Sequence, residues 1–221
     1  MEAVIIIGIF LVGMGIFFAV KSYLENKRSD ALELISKDIQ MPFSREANPQ
    51  LRHHLSANTS LYLFSIGHSH KLKNVFVNES DELSIKLFDY LYAVGGGKSR
   101  KEYHQSVFLV ESKALNLPVF NMKPETVWHK IGQAAFGQQD IDFERYPNFS
   151  KNYLLKGQDE QAIRYAFTPS ILQHFEYIEG WSVEGDGPYL VVYYSGRRQK
   201  PEHTLWFLEK CMEIFQLFKQ G

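Results

Sequence analysis

The glycine run Gly95-Gly96-Gly97, followed by Lys98 and Ser99, is the segment of this sequence that looks most like chemistry. Its ending matches the close of a phosphate-binding loop, in which backbone N–H groups and a lysine cradle a nucleotide. The full pattern needs a glycine five residues before Gly97, where Tyr92 stands. It also needs a helix after Ser99 to aim its N-terminus at phosphate. The residues that follow alternate like a strand, so a plain hairpin turn with Lys98 in solvent is the expectation.

The other reactive residue types are dispersed. His53-His54, His68-Ser69-His70, His104, His129, His174 and His203 show no HExxH spacing and no cysteine partners. His68 and His70 would share a strand face as two ligands, but spacing identifies no third. Asp140-Ile141-Asp142 would place two carboxylates on one strand face, where solvated charges are the simpler reading. Cys211 lies within a helical pattern and reads as a buried structural thiol. No GxSxG occurs. The sequence therefore assigns no catalytic, cofactor-binding or metal-ligating residue, and no cofactor.

The strongest physical signal concerns position. Ala3 to Val20 is an apolar run of 18 residues without a charge, which as a helix extends about 27 Å, close to the hydrocarbon thickness of a bilayer. A cleavable signal would want basic residues before the run and small residues after it, whereas Glu2 precedes and Lys21-Ser22-Tyr23 follows. The expectation is a single-pass transmembrane anchor over residues 1–20, with the bilayer as partner through residues 3–20. Lys21, Lys27 and Arg28 follow the span, so the positive-inside bias places the rest of the chain in the cytoplasm, at a cell inner membrane. The lone cysteine suits a reducing compartment.

Behind the anchor, Leu24 to Ile39 reads as a helical stalk with Leu32, Ile35 and Ile39 at helical spacing. Met41 to Ser60 reads as a linker, giving a charged stalk and linker over 21–60 and a globular domain over 61–221. That domain is expected to open with strands at Leu61–Ile66 and Leu83–Val94. The second carries Leu83, Ile85, Leu87 and Leu91 on one face, with Ser84, Lys86, Tyr90 and Tyr92 on the other. Tyr103–Ser112 completes a glycine-turn hairpin. Leu115–Met122 reads as an edge strand that tolerates Pro118. Glu125–Phe136 reads as a helix closed by Gly137, and Phe149–Leu155 as a strand. Thr168-Pro169 starts a helix to about Ile178, and Trp181–Glu184 with Tyr189–Ser195 forms a second hairpin around Gly185-Asp186-Gly187-Pro188. Pro201–Phe218 closes as an amphipathic helix with a stripe of Leu205, Leu208, Met212, Phe215 and Phe218. The fold class is α+β, an antiparallel sheet with short helices and a C-terminal helix, for which a partly closed, pleckstrin-homology-like sheet is one arrangement.

Lys and Arg number 24 against 25 Asp and Glu, which argues against a broad basic surface and a nucleic-acid partner. The residues Phe88-Asp89-Tyr90, Tyr92, Gly95–Lys98 and Gln105-Ser106-Val107 resemble those of bacterial single-pass membrane-anchored proteins with a domain of unknown function. Leu117-Pro118-x-Phe120, Pro124-Glu125, Asp140–Phe143, Phe149, Tyr153, Arg164 and Phe167-Thr168-Pro169 extend the likeness over Leu61–Ser195. The resemblance implies a bacterial origin and a membrane address, and carries over no activity or site residue. Asp89, on an otherwise apolar strand face, needs a buried partner, for which Arg164 is the candidate. The expected function is non-enzymatic binding or scaffolding on the cytoplasmic face of a bacterial membrane. The alternative is a membrane-tethered hydrolase or transferase using Asp140, Asp142 and the histidines.

Overall fold

The computed structural model describes residues 1–57, 60–127 and 140–220. A single helix, α1 (Glu2–Asp38), runs through both the apolar segment and the segment read as a stalk. From Ile6 to Val20 its large apolar side chains are exposed, Phe10 by 69% and Phe17 by 63%, so this part is long and apolar enough to cross a bilayer. Beyond Lys27 the character changes. Leu32 is buried, and Ile35 and Ile39 pack against the core.

Eight strands form one antiparallel sheet in the order β1-β2-β3-β4-β8-β7-β5-β6. They are β1 (Phe43–Glu46), β2 (His68–Glu79), β3 (Leu83–Val94), β4 (Lys101–Ser112), β5 (Leu117–Pro124), β6 (Tyr153–Gly157), β7 (Trp181–Gly187) and β8 (Tyr189–Tyr194). The helices α2 (Pro49–Ala57), α3 (Tyr62–Ser65), α4 (Pro147–Asn152), α5 (Glu160–Ala166), α6 (Pro169–Tyr177) and α7 (Thr204–Lys219) pack around it. The architecture is α+β, as expected. The sheet is open, ending at β1 and β6, in place of the partly closed arrangement considered from sequence.

The β3–β4 hairpin forms where alternation and the glycine turn predict it, with Val94 opposite Lys101. Gly95 and Gly97 adopt φ of +76° and +55°, which the turn requires and which L side chains resist. Several expectations are corrected. Leu61–Ile66 is helical as α3, and β2 is a strand unforeseen beyond His70. A period-two pattern is broken there by register shifts between His68 and Lys71 and between Lys73 and Phe76. The expected linker supplies β1 and α2, and the buried Met41 and Leu55 belong to the core. β5 is internal, paired with both β6 and β7, and accommodates Pro118 at an irregularity between Leu117 and Phe120. Phe149 lies in α4, ahead of β6. The helix expected from Glu125 falls beyond Val127 outside the described residues.

Both sheet faces are covered, so the tyrosines of β3 are core rather than surface. Ile85 and Leu87 join α1, α5, α6 and α7 on one side. Phe88, Tyr90 and Tyr92 join α2 and α3 on the other. The closing helix is amphipathic, but its buried stripe is Phe207, Cys211, Ile214, Phe215 and Phe218. Leu205 is 51% exposed, whereas Leu208 and Met212 flank the stripe. The phase is set by Trp181, which stacks on Phe207 at 5.7 Å, while Phe218, common to both stripes, stacks on Phe120 at 5.6 Å.

Candidate functional site

Where α1 leaves its apolar part and meets the sheet, charged residues converge. Arg28 donates from Nε and Nη2 to the two oxygens of Asp89, each at 2.8 Å, and from Nη1 to the carbonyl of Gln199 at 2.7 Å. Both side chains are largely buried, exposed by 13% and 8%. Asp89 also accepts from Asn74 at 2.9 Å and from Ser106 at 3.1 Å. Asn74 reaches it because the irregularity in β2 sets its backbone at φ +53°. The need of Asp89 for a partner was correctly read, but the partner is Arg28. Arg164 pairs with Glu160 and donates to the carbonyl of Asp142.

One turn nearer the apolar run, Glu25 accepts two hydrogen bonds from Arg198, each at 2.7 Å. These bonds hold the Glu25 carboxyl below its usual range, against the opposing effect of burial. Beside the pair lies a cavity of about 160 Å³ lined by Lys21, Lys71, Lys73, Leu91, His104 and Arg198 among others. Burial and the neighbouring Arg198 charge both push the His104 pKa down, opposed by Glu102.

A second polar group is buried on the opposite sheet face. Glu184 is fully buried and accepts from the Tyr193 hydroxyl at 2.7 Å and from the Leu63 N–H at 2.9 Å. Lys123 lies 3.8 Å from it and 4.0 Å above the Tyr62 ring. Burial drives the Lys123 ammonium down to about 8, while Glu184 pulls the other way. Glu184 ties α3 to the sheet, because its charge is satisfied by a helix-end amide as well as by neighbouring side chains.

The residues singled out in the sequence are not gathered into one site. Lys98 is exposed at the β3–β4 turn, which is followed by β4 rather than by a helix that could hold phosphate. Asp140 accepts from the Leu155 N–H at 2.8 Å and, chiefly through burial, is pushed up to about 6. It and Asp142 lie in irregular backbone rather than on a strand. His53 and His70 both line a cleft of about 460 Å³ between α2 and the sheet, where His70 bonds the Ile66 carbonyl. His54 faces Tyr189 at 2.9 Å, and His68 bonds Ser69 and the Gly95 carbonyl. His129 lies outside the described residues. Among the described residues, no group of three or more His, Cys, Asp and Glu is placed to hold a metal ion. Cys211 is fully buried in α7.

Sequence reasoning missed Asn74, Lys123, Glu184 and the Glu25–Arg198 pair. The available signal was a charge inside an otherwise apolar strand, which applied equally to Lys123 and Glu184 as to Asp89.

No protein-family pattern matches this chain, and no curated protein matches it in sequence. Among solved structures, the chain is similar to the crystal structure of the mycobacterial trehalose monomycolate transport factor A, TtfA. The match has a TM-score of 0.59 at 8% identity and covers 89% of this chain and 93% of that one. At that identity the likeness concerns the fold.

Proposed function

We propose that this protein is a non-enzymatic binding or scaffolding domain held by α1 at the cytoplasmic face of a bacterial inner membrane. The observation that carries the reading is the coupling of Arg28 to Asp89. An apolar, exposed span passes without a break into a helix whose far half is part of the core, so the domain is fixed to its membrane segment. Such fixing suits a module that presents a surface at a set place. Lys21 and Lys27 beside the span favour the cytoplasmic side. The shared fold with a transport factor supports a role in binding rather than in turnover. The buried charges also support it, since Asp89 and Glu184 are each occupied by several protein donors.

The test combines topology with contact. Fusions at the C-terminus should report a cytoplasmic location. A photocrosslinking residue placed at Arg52, on the exposed side of α2, should give one discrete adduct in intact cells. Strong periplasmic alkaline phosphatase activity from the fusion would overturn the orientation. Ester or phosphoester hydrolysis by the purified full chain, lost in Asp140→Asn, would overturn the non-enzymatic reading in favour of the hydrolase.

A further inference from the structure

We infer that the cavity at the foot of the membrane span binds the phosphate-bearing headgroup of an anionic phospholipid, with Lys21 and Lys71 as its cationic contacts. The inference deepens the proposed function and rests on its membrane-spanning α1.

Depth is the first argument. The apolar run ends at Val20 and Lys21 is the next residue, with Glu25 one turn further on. Four residues of helix rise about 6 Å. The headgroup layer on one side of a bilayer is about 5–7 Å thick. The cavity, lined by Lys21 at one level and by Glu25 with Arg198 at the next, therefore opens within that layer. The second argument is charge. Of the two carboxylates in the lining, Asp89 is neutralised by Arg28 and Glu25 by Arg198. Lys21 and Lys71 are exposed and have no ion-pair partner among the described residues, so the cavity keeps a positive surplus. Lys73, also in the lining, pairs with the exposed Glu46 at 3.1 Å.

Size and surroundings fit a headgroup rather than a whole lipid. A volume of about 160 Å³ corresponds to roughly five water molecules at their liquid volume. That accommodates a phosphate with part of a glycerol, while the acyl chains stay beside α1 in the bilayer. Leu91 supplies an apolar wall for the glycerol carbons. The β3–β4 turn lies on this side too, since the carboxylate of Glu102, near its return, feels the Lys21 charge. Lys98 and Lys101 in and beside that turn add to the positive charge on this side.

The experiment uses the full chain in nanodiscs of phosphatidylcholine alone or with a phosphatidylglycerol fraction. Native mass spectrometry reads the retained lipid. Phosphatidylglycerol should be retained preferentially. Each of Lys21→Gln and Lys71→Gln should lower that preference about fivefold, the equivalent of about 1 kcal/mol per surface charge. Lys113→Gln, at the far end of β4, should not. Equal melting of all variants in pure phosphatidylcholine shows that the substitutions leave the fold intact. Equal retention of both lipids, or losses no larger than that of Lys113→Gln, would overturn the inference. Saturable binding of inorganic phosphate that displaces phosphatidylglycerol would assign the pocket to a soluble phosphate and overturn the lipid source. A chain that fails to insert into nanodiscs refutes the membrane reading itself, whereas an inserted chain without lipid preference refutes only the pocket.

Discussion

Replacing Arg28 with alanine tests the joint between the apolar half of α1 and the domain. The substitution removes a bidentate pair and the bond to the Gln199 carbonyl, and strands Asp89, which is 8% exposed at its side chain. Breaking a buried ion pair by deleting one member typically costs about 3–5 kcal/mol. Asn74 and Ser106 continue to donate to the carboxylate, which moves the expected loss to the lower end, about 3 kcal/mol. For a chain of this size each kcal/mol lowers the melting temperature by about 2–4 °C, so a fall of about 6–12 °C is expected. The assay is thermal unfolding of the full chain in detergent, followed by near-UV circular dichroism. Amide exchange over residues 29–39 should accelerate in parallel, because that half of α1 loses its main polar tie to the sheet. Asp89→Asn should also destabilise, since the amide keeps one acceptor oxygen for donors that approach both oxygens of the carboxylate. A melt within about 2 °C of wild type, with unchanged exchange in 29–39, would refute the reasoning and show that Leu32 with its neighbours and the Glu25–Arg198 pair suffice to join α1 to the core.

Phe207→Ala, at a fully buried position in α7, should cost about 3–5 kcal/mol in chemical denaturation, whereas Leu205→Ala, half exposed, should stay within about 0.5 kcal/mol; similar losses would mean the helix packs in the other phase. Gly67 has φ +71° and a Cβ there would sit 2.3 Å from the Ala93 carbonyl oxygen, so Gly67→Ala should lower the melting point and disturb the β2–β3 pairing seen by amide exchange. Asp140 has a folded pKa raised from 3.8 to about 6, so the folded state holds its proton more tightly and stability falls as pH rises between those values. Asp140→Asn, which keeps an acceptor for the Leu155 N–H, should therefore melt higher than wild type above pH 6, with the gap closing by pH 4. A gap independent of pH would show that the carboxyl is not desolvated.

The parts of the fold that were legible are those whose signals are local. In β3 and β4 the alternation of side chains runs directly into a glycine turn, and the partner strand is the next one along the chain. The β7–β8 hairpin around Gly187 is legible for the same reason. β2 was hidden because Asn74 interrupts it with a left-handed residue and resets the register, which destroys the period of two. Leu61–Ile66 is a short apolar run, for which periodicity does not separate strand from helix, and here the carboxylate of Glu184 selects a helix by accepting from the Leu63 N–H. In α7, Leu205 and Phe207 each start a stripe, and stacking of Phe207 against the distant Trp181 decides between them. The polar joint was half legible. Asp89 declared its need, but Arg28 lies 61 residues away on a helix that reads as solvent-exposed.

Because α1 is one uninterrupted helix of 37 residues, about 55 Å long, the domain has no swivel between its core and the apolar half of that helix. Membrane spans tilt by about 20° on average and retilt when bilayer thickness changes. With the far half of the rod clamped in the domain, such retilting turns the domain as a lever turns its load. A change of about 10° in the span, acting over the roughly 27 Å between Val20 and Asp38, carries the clamped end about 5 Å sideways. On the proposed reading of α1 as a membrane span, the domain's attitude thus becomes a mechanical readout of the lipid around it.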